Sequence, residues 1–212
     1  PNIASRQSSA LVLESITRYL PELIGGSADL SGSNNTKTKL STIIKPSNFK
    51  GNYIHYGVRE HAMAGIMNGM ALHGGIIPYG GTFLIFSDYC KPSLRLSALM
   101  GLKVIYIFSH DSIGLGEDGP THQPIEHLMA CRAIPNLMVF RPADANEAVV
   151  ASRIAFEQSK LPSLILLTRQ GLPVLDRNVH PSAEEFRKGA YIISDYDRAN
   201  PEVSIFASGS EV

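Results

Sequence analysis

The sequence has no excess of charge of either sign, because 19 Lys and Arg balance 19 Asp and Glu over 212 residues. Without a net field nothing draws the chain to nucleic acid or to an anionic membrane, so neither is expected as a partner. No apolar run approaches the roughly eighteen residues of a membrane span. The opening PNIASRQSSA lacks the basic region and apolar core of a secretory signal, so no export address is read there. Cysteine is scarce: Cys90 and Cys131 stand alone, without the spacing of a metal knuckle or a redox pair. Two isolated thiols in apolar surroundings suit a reducing, cytoplasmic compartment.

What is present is core. Hydrophobic residues make up 44% of the chain, enough for one sizeable domain and a tail. Short apolar runs rich in β-branched and aromatic residues occur at 23–26, 53–56, 75–80, 103–108, 136–140 and 163–168, and read as buried strands. Helical spacing occupies 8–20, 59–73 and 144–159, and 82–100 reads as one helix broken or kinked near Pro92. Strands alternating with helices predict an α/β fold with a doubly wound, mostly parallel sheet. Such sheets bind ligands at the carboxyl ends of their strands, which directs attention to residues 27–33, 57–61, 109–123 and Arg169.

Three constellations stand out. HDSIGLGEDGPTHQP at 110–124 follows the KVIYIF strand with two histidines, three acids and three glycines. Gly114, Gly116 and Gly119 spell a dinucleotide fingerprint, but Glu117 and Asp118 would place carboxylates where a pyrophosphate should lie. His110, Asp118 and His122 are metal-ligand types in no compact pattern. A third reading is a substrate loop whose imidazoles and carboxylate bind sugar hydroxyls while glycines let the backbone approach. Glu60 opens a helix just after the YIHYG strand; an ordinary partner of the helix dipole and a crevice carboxylate both fit. Phe83, Phe86 and Tyr89, three residues apart, place rings along nearly one helical face, either as core or as the wall of a pocket.

The strings GGSADLSGSN (25–34), NYIHYGVREHAM (52–63), YGGTFLIFSDY (79–89), HDSIGLGEDGPTHQP (110–124) and LTRQGLP (167–173) together resemble transketolase, in order and spacing along nearly the whole chain. Deoxyxylulose-phosphate synthase and pyruvate dehydrogenase beta chains resemble it more loosely, whereas dihydroxyacetone synthase would look much the same. The resemblance implies the pyrimidine-binding type of thiamine diphosphate-binding fold over residues 1–172, a linker over 173–188 and the beginning of a C-terminal domain over 189–212. The segments AYIISD and VSIFASGSEV would then be strands of that further domain.

The resemblance assigns Glu60 to a hydrogen bond with a ring nitrogen of the cofactor's aminopyrimidine. It makes Phe83, Phe86 and Tyr89 the pocket around that ring, which would desolvate Glu60 where the helix end favours its ionised form. Asp29 would lie beside the cofactor. His110 would contact the acceptor's phosphate, Asp118 a sugar hydroxyl that selects configuration and His122 the donor hydroxyls near the reacting carbon, with His110 and His122 counted with Glu60 as catalytic, and Arg6, Ser33 and Arg169 would supply the remaining phosphate contacts. The implied activity is transfer of a two-carbon ketol unit from a ketose phosphate to an aldose phosphate in the pentose phosphate pathway, by a homodimer. The implied magnesium or calcium ion is held in the family by a Gly-Asp-Gly segment, which this sequence lacks, so no metal ligand is assigned here and the chain alone is expected to be inactive. The stretch after Asn34, TKTKLSTIIKPSNFKG, departs from the family in being short and free of tryptophan. A non-catalytic interaction module keeping the same fold is the rival reading, and the full set of Glu60, His110, Asp118 and His122 argues against it.

Overall fold

The structure, a computed structural model, describes residues 1–195 and 201–212. The first half runs β1 (Asn2–Ala4), α1 (Ser5–Ile16), β2 (Leu23–Ser27), α2 (Ser31–Asn34), β3 (Tyr53–His55), α3 (Glu60–His73) and β4 (Ile77–Phe83). It continues through α4 (Ser87–Leu99), β5 (Ile105–Ser109), α5 (His127–Arg132), β6 (Met138–Phe140), α6 (Ala145–Glu157), β7 (Ser163–Leu167) and β8 (Gly171–Pro173). Six strands form one wholly parallel sheet in the order β3-β2-β4-β5-β7-β6. The doubly wound reading therefore holds. No helix among the described residues is long and apolar enough to cross a membrane.

Alternation along the central strands builds a core on each face. Tyr106, Phe108, Leu164 and Leu166 join Met63 and Met67 of α3 and Leu94 of α4 on one side. Ile105, Ile107, Ile165 and Leu167 join Leu13 of α1 and Ala155 of α6 on the other. The two-faced burial explains why these strands read as continuous apolar runs. A buried polar chain pins α3, α4 and β5 together: the Ser97 hydroxyl donates to Asn68 Oδ1 at 2.6 Å and lies 2.7 Å from the Tyr106 hydroxyl.

Several expectations are corrected. The helix α4 runs unbroken through Pro92. The carbonyl that loses its helical donor there is that of Asp88, an exposed residue, so water can satisfy it. The change of geometry comes earlier, where a single 3-10 turn, Leu84–Phe86, separates β4 from α4. Neither 190–195 nor 203–212 forms a strand; the latter holds only a short turn at Gly209–Glu211, and Val203, Ile205 and Phe206 are exposed. A strand needs a ladder partner, and these segments have none among the described residues.

The strands β1 and β8 were not foreseen. They pair antiparallel, Ala4 opposite Gly171 and Asn2 opposite Pro173. Two side-chain bonds reinforce the seam, with Ser5 N–H donating to Thr168 Oγ1 at 3.1 Å and Thr168 N–H to Ser5 Oγ at 2.7 Å.

Candidate active site

The rings gather where β4 ends, by a route different from the one the spacing suggested. Phe83 is the last residue of β4, Phe86 lies in the 3-10 turn and Tyr89 in the first turn of α4. They still stack in sequence: Phe83 on Phe86 at 5.9 Å between centroids and 8° between planes, Phe86 on Tyr89 at 5.9 Å and 28°. Exposure rises from 5% at Phe83 to 64% at Tyr89, so the rings form a shelf running from the core to the surface. The His110 ring stacks on Phe83 at 3.7 Å, and His122 stands edge-on to Phe86 at 5.3 Å. Offset and edge-to-face pairs of this kind hold a planar surface in place.

The loop after β5 brings polar groups to the same shelf. His110 adopts a left-handed backbone with φ +60°, its Nδ1 lies 2.9 Å from Ser109 Oγ, and its Nε2 lies 3.9 Å from Asp118 Oδ2. That gap is too long for a direct bond, and a hydroxyl at about 2.8 Å from each atom would bridge it. Arg6 donates to the Ser33 carbonyl, so Ser33 enters through its backbone. Burial, and then the charge of Arg169, draw the Arg6 guanidinium below its usual range against the pull of Asp118. Arg6 Nε is buried with no partner. Gly116, at φ +105°, leaves room for Arg169: a Cβ there would stand 2.8 Å from its Nη1.

Burial, followed by the charge of Arg6, pulls the His110 imidazole from 6.5 down to about 4. Below about pH 6.5 the unfolded chain takes up a proton that the folded chain refuses, so this group subtracts stability as pH falls towards 4 and no further below it. Histidine NMR should show a His110 midpoint near 4. A midpoint at the ordinary histidine value would remove this account of the loop's charge.

Glu60 is the first residue of α3 and is only 6% exposed, and its carboxylate makes no hydrogen bond among the described residues. It lies near α4, since its charge contributes to pushing the buried Cys90 thiol upward, after burial itself and the neighbouring Cys131. Asp29 follows β2 with φ +64° and is exposed, and it bonds none of the other candidates.

Two readings of the glycine-rich loop are excluded by its path. Only 3-10 turns, Ile113–Leu115 and Pro120–His122, follow β5 there, so no helix N-terminus receives a pyrophosphate. His110, Asp118 and His122 do not converge as metal ligands. Among the described residues the grouping with that potential is Asp88, Glu126 and His127, where His127 Nε2 lies 3.0 Å from Asp88 Oδ2 in an ordinary hydrogen bond. Beneath the loop Asp111, one of its three acids, meets Arg141, which the sequence did not single out. Arg141 directly follows β6, and the attention given to strand ends would have found it.

A parallel sheet that gathers a ring shelf, two histidines and an acid at the ends of β4 and β5 places aromatic and polar groups together in one crevice. The chain belongs to the family described as transketolase, pyrimidine binding domain, whose model matches residues 1–174. It is 56% identical to the transketolase of Sinorhizobium medicae over 99% of its own length and 30% of that protein's, and 54% identical to that of Aquifex aeolicus over 100% and 30%. A crystal structure of Pichia stipitis transketolase in complex with sedoheptulose 7-phosphate superposes with a TM-score of 0.89 at 48% identity, covering 94% of this chain and 30% of that one. A split-gene transketolase described as an inactive β4 tetramer superposes at 0.66 with 28% identity, over 82% of this chain and 54% of that one. The fold is the thiamine diphosphate-binding type of those enzymes. This chain spans about 30% of the length of those two curated relatives.

Proposed function

We propose that this chain is the pyrimidine-holding part of a transketolase, a cytoplasmic homodimer of the pentose phosphate pathway, with domain limits of 1–172, 173–188 and 189–212. The observation that carries the reading is the shelf of Phe83, Phe86 and Tyr89 joined by His110 and His122, with Arg6, Asp118 and Arg169 beside it. These residues fit thiamine diphosphate: rings offer a stacking surface, and Glu60 has a carboxyl group, without a partner among the described residues, to hydrogen-bond a ring nitrogen of an aminopyrimidine. When bound, that cofactor supplies the carbanion chemistry by which a two-carbon ketol unit changes carriers.

The chain's own contribution is positioning and proton placement. Glu60 would hold the cofactor's pyrimidine by a hydrogen bond to a ring nitrogen. The rings and the buried floor at Phe83 exclude water. His110, kept neutral, and Asp118 bridge a sugar hydroxyl across their 3.9 Å gap. His122 reaches donor hydroxyls from the shelf edge. Arg6, with Arg169, takes the sugar phosphate through charge-assisted bonds, and Ser33 and Asp29 line the approach. No residue of this chain is assigned to the magnesium or calcium ion, which the remainder of the enzyme would hold together with the diphosphate.

The complete protein, supplied with thiamine diphosphate, magnesium, xylulose 5-phosphate and ribose 5-phosphate, should transfer the ketol unit. The 212-residue chain under the same conditions should show none, in keeping with the inactive split-gene relative. Turnover by the isolated chain would overturn the claim that it carries half a site.

A further inference from the structure

The loop from His110 to Pro124 has a cavity of about 160 Å³ beneath it, lined by both of its ends, Asp111 and Ile113 at one and Pro124 and Ile125 at the other, and floored by Arg141 and Glu211. Leu115 is fully buried in the middle of the loop, whereas its first residues stand over this cavity. One strut crosses the gap: Arg141 Nε donates to Asp111 Oδ2 at 2.7 Å, and the Asp111 side chain is wholly buried. The other oxygen, Oδ1, has no partner, so Arg141 is the carboxylate's sole side-chain partner among the described residues. Arg141 is also tied on its far side. Its Nη1 donates to the Ser208 carbonyl at 2.9 Å and pairs with Glu211, while its own carbonyl accepts from Gly209 N–H at 3.1 Å.

Asp111 adjoins His110, the non-glycine residue in the loop that holds a left-handed backbone. Such a conformation persists only where its surroundings over-determine it. We propose that Arg141 is a positioning residue for the substrate loop: by holding the buried carboxylate of Asp111 it fixes the backbone that presents His110, and through the same guanidinium it ties that loop to residues 208–211. Removing Arg141 leaves a buried carboxylate with no counter-charge, and the simplest relief is for Asp111 to swing to solvent. His110 is then carried off Phe83. What the loop binds rests on the function proposed above; that Arg141 holds it does not.

The test uses the complete protein with Arg141→Met, Arg141→Lys and Glu211→Gln. Arg141→Met should raise KM for the sugar phosphate by roughly tenfold or more while half-saturation by thiamine diphosphate stays unchanged. The His110 midpoint should climb from about 4 towards 6.5 as the ring leaves its site. Lysine keeps the charge but cannot span Asp111 and Ser208 together, so Arg141→Lys should fall between. Glu211→Gln, which leaves the strut intact, should change KM by less than about threefold. If Arg141→Met does not fold, the double variant Asp111→Asn with Arg141→Met removes the unpaired buried charge, and the same two readouts decide. An unchanged KM with a His110 midpoint still near 4 overturns the proposal, even where Tm or kcat falls. A wild-type protein without ketol transfer overturns the functional reading instead, and the His110 midpoint still judges the strut.

Discussion

Glu60→Ala in the complete protein should lower ketol transfer by roughly a thousandfold and leave the fold intact. Glu60 is 6% exposed at the start of α3 and makes no hydrogen bond among the described residues, so its truncation breaks no internal bond. Alanine also suits the helix. Steady-state kinetics paired with thermal unfolding check this. Wild-type turnover would sink the assignment, and so would inactivity that merely accompanies a collapsed Tm.

The largest stability effect is expected at Gly25→Ala. A Cβ on Gly25 would stand 2.1 Å from Tyr79 Cζ and 2.2 Å from its hydroxyl. The Tyr79 ring has little freedom to withdraw: it is 2% exposed, and its hydroxyl donates to the Thr36 carbonyl at 2.9 Å. Overpacking against a tethered ring should cost about 3 kcal/mol, or a fall in Tm of roughly 6–12 °C for a chain of this size. Gly32→Ala is the control, because nothing lies within 4 Å of the added methyl. Equal Tm values for the two variants would mean that the ring yields more easily than its packing indicates.

Much of this architecture was legible in the sequence because burial on both faces of a parallel sheet writes itself as continuous apolar runs, as at 103–108 and 163–168. The helix opened by Glu60 was equally plain. The aromatic triplet shows where such reading fails. A spacing of three fits one helical face, yet a strand end, a 3-10 turn and a helix start place the same rings in the same stack. Spacing reports proximity there, but not the backbone that achieves it. The pair β1 and β8 left no pattern, since three residues are too few to show a period. Asp111 and Arg141 are thirty positions apart and meet only through the order of strands in the sheet, which no local signal carries.

That short seam between β1 and β8 governs when Arg6 and Arg169 can come together. Arg6 follows one side of it and Arg169 precedes the other, separated by nearly the whole length of the domain. During synthesis Arg6 emerges before Arg169, and the two can meet only once β8 has left the ribosome and closed onto β1. The two guanidinium groups are thus a late product of folding, formed by the longest-range closure in the domain. A phosphate bridging them would draw the seam shut, so substrate would act on the finished domain as a clasp as well as a reactant.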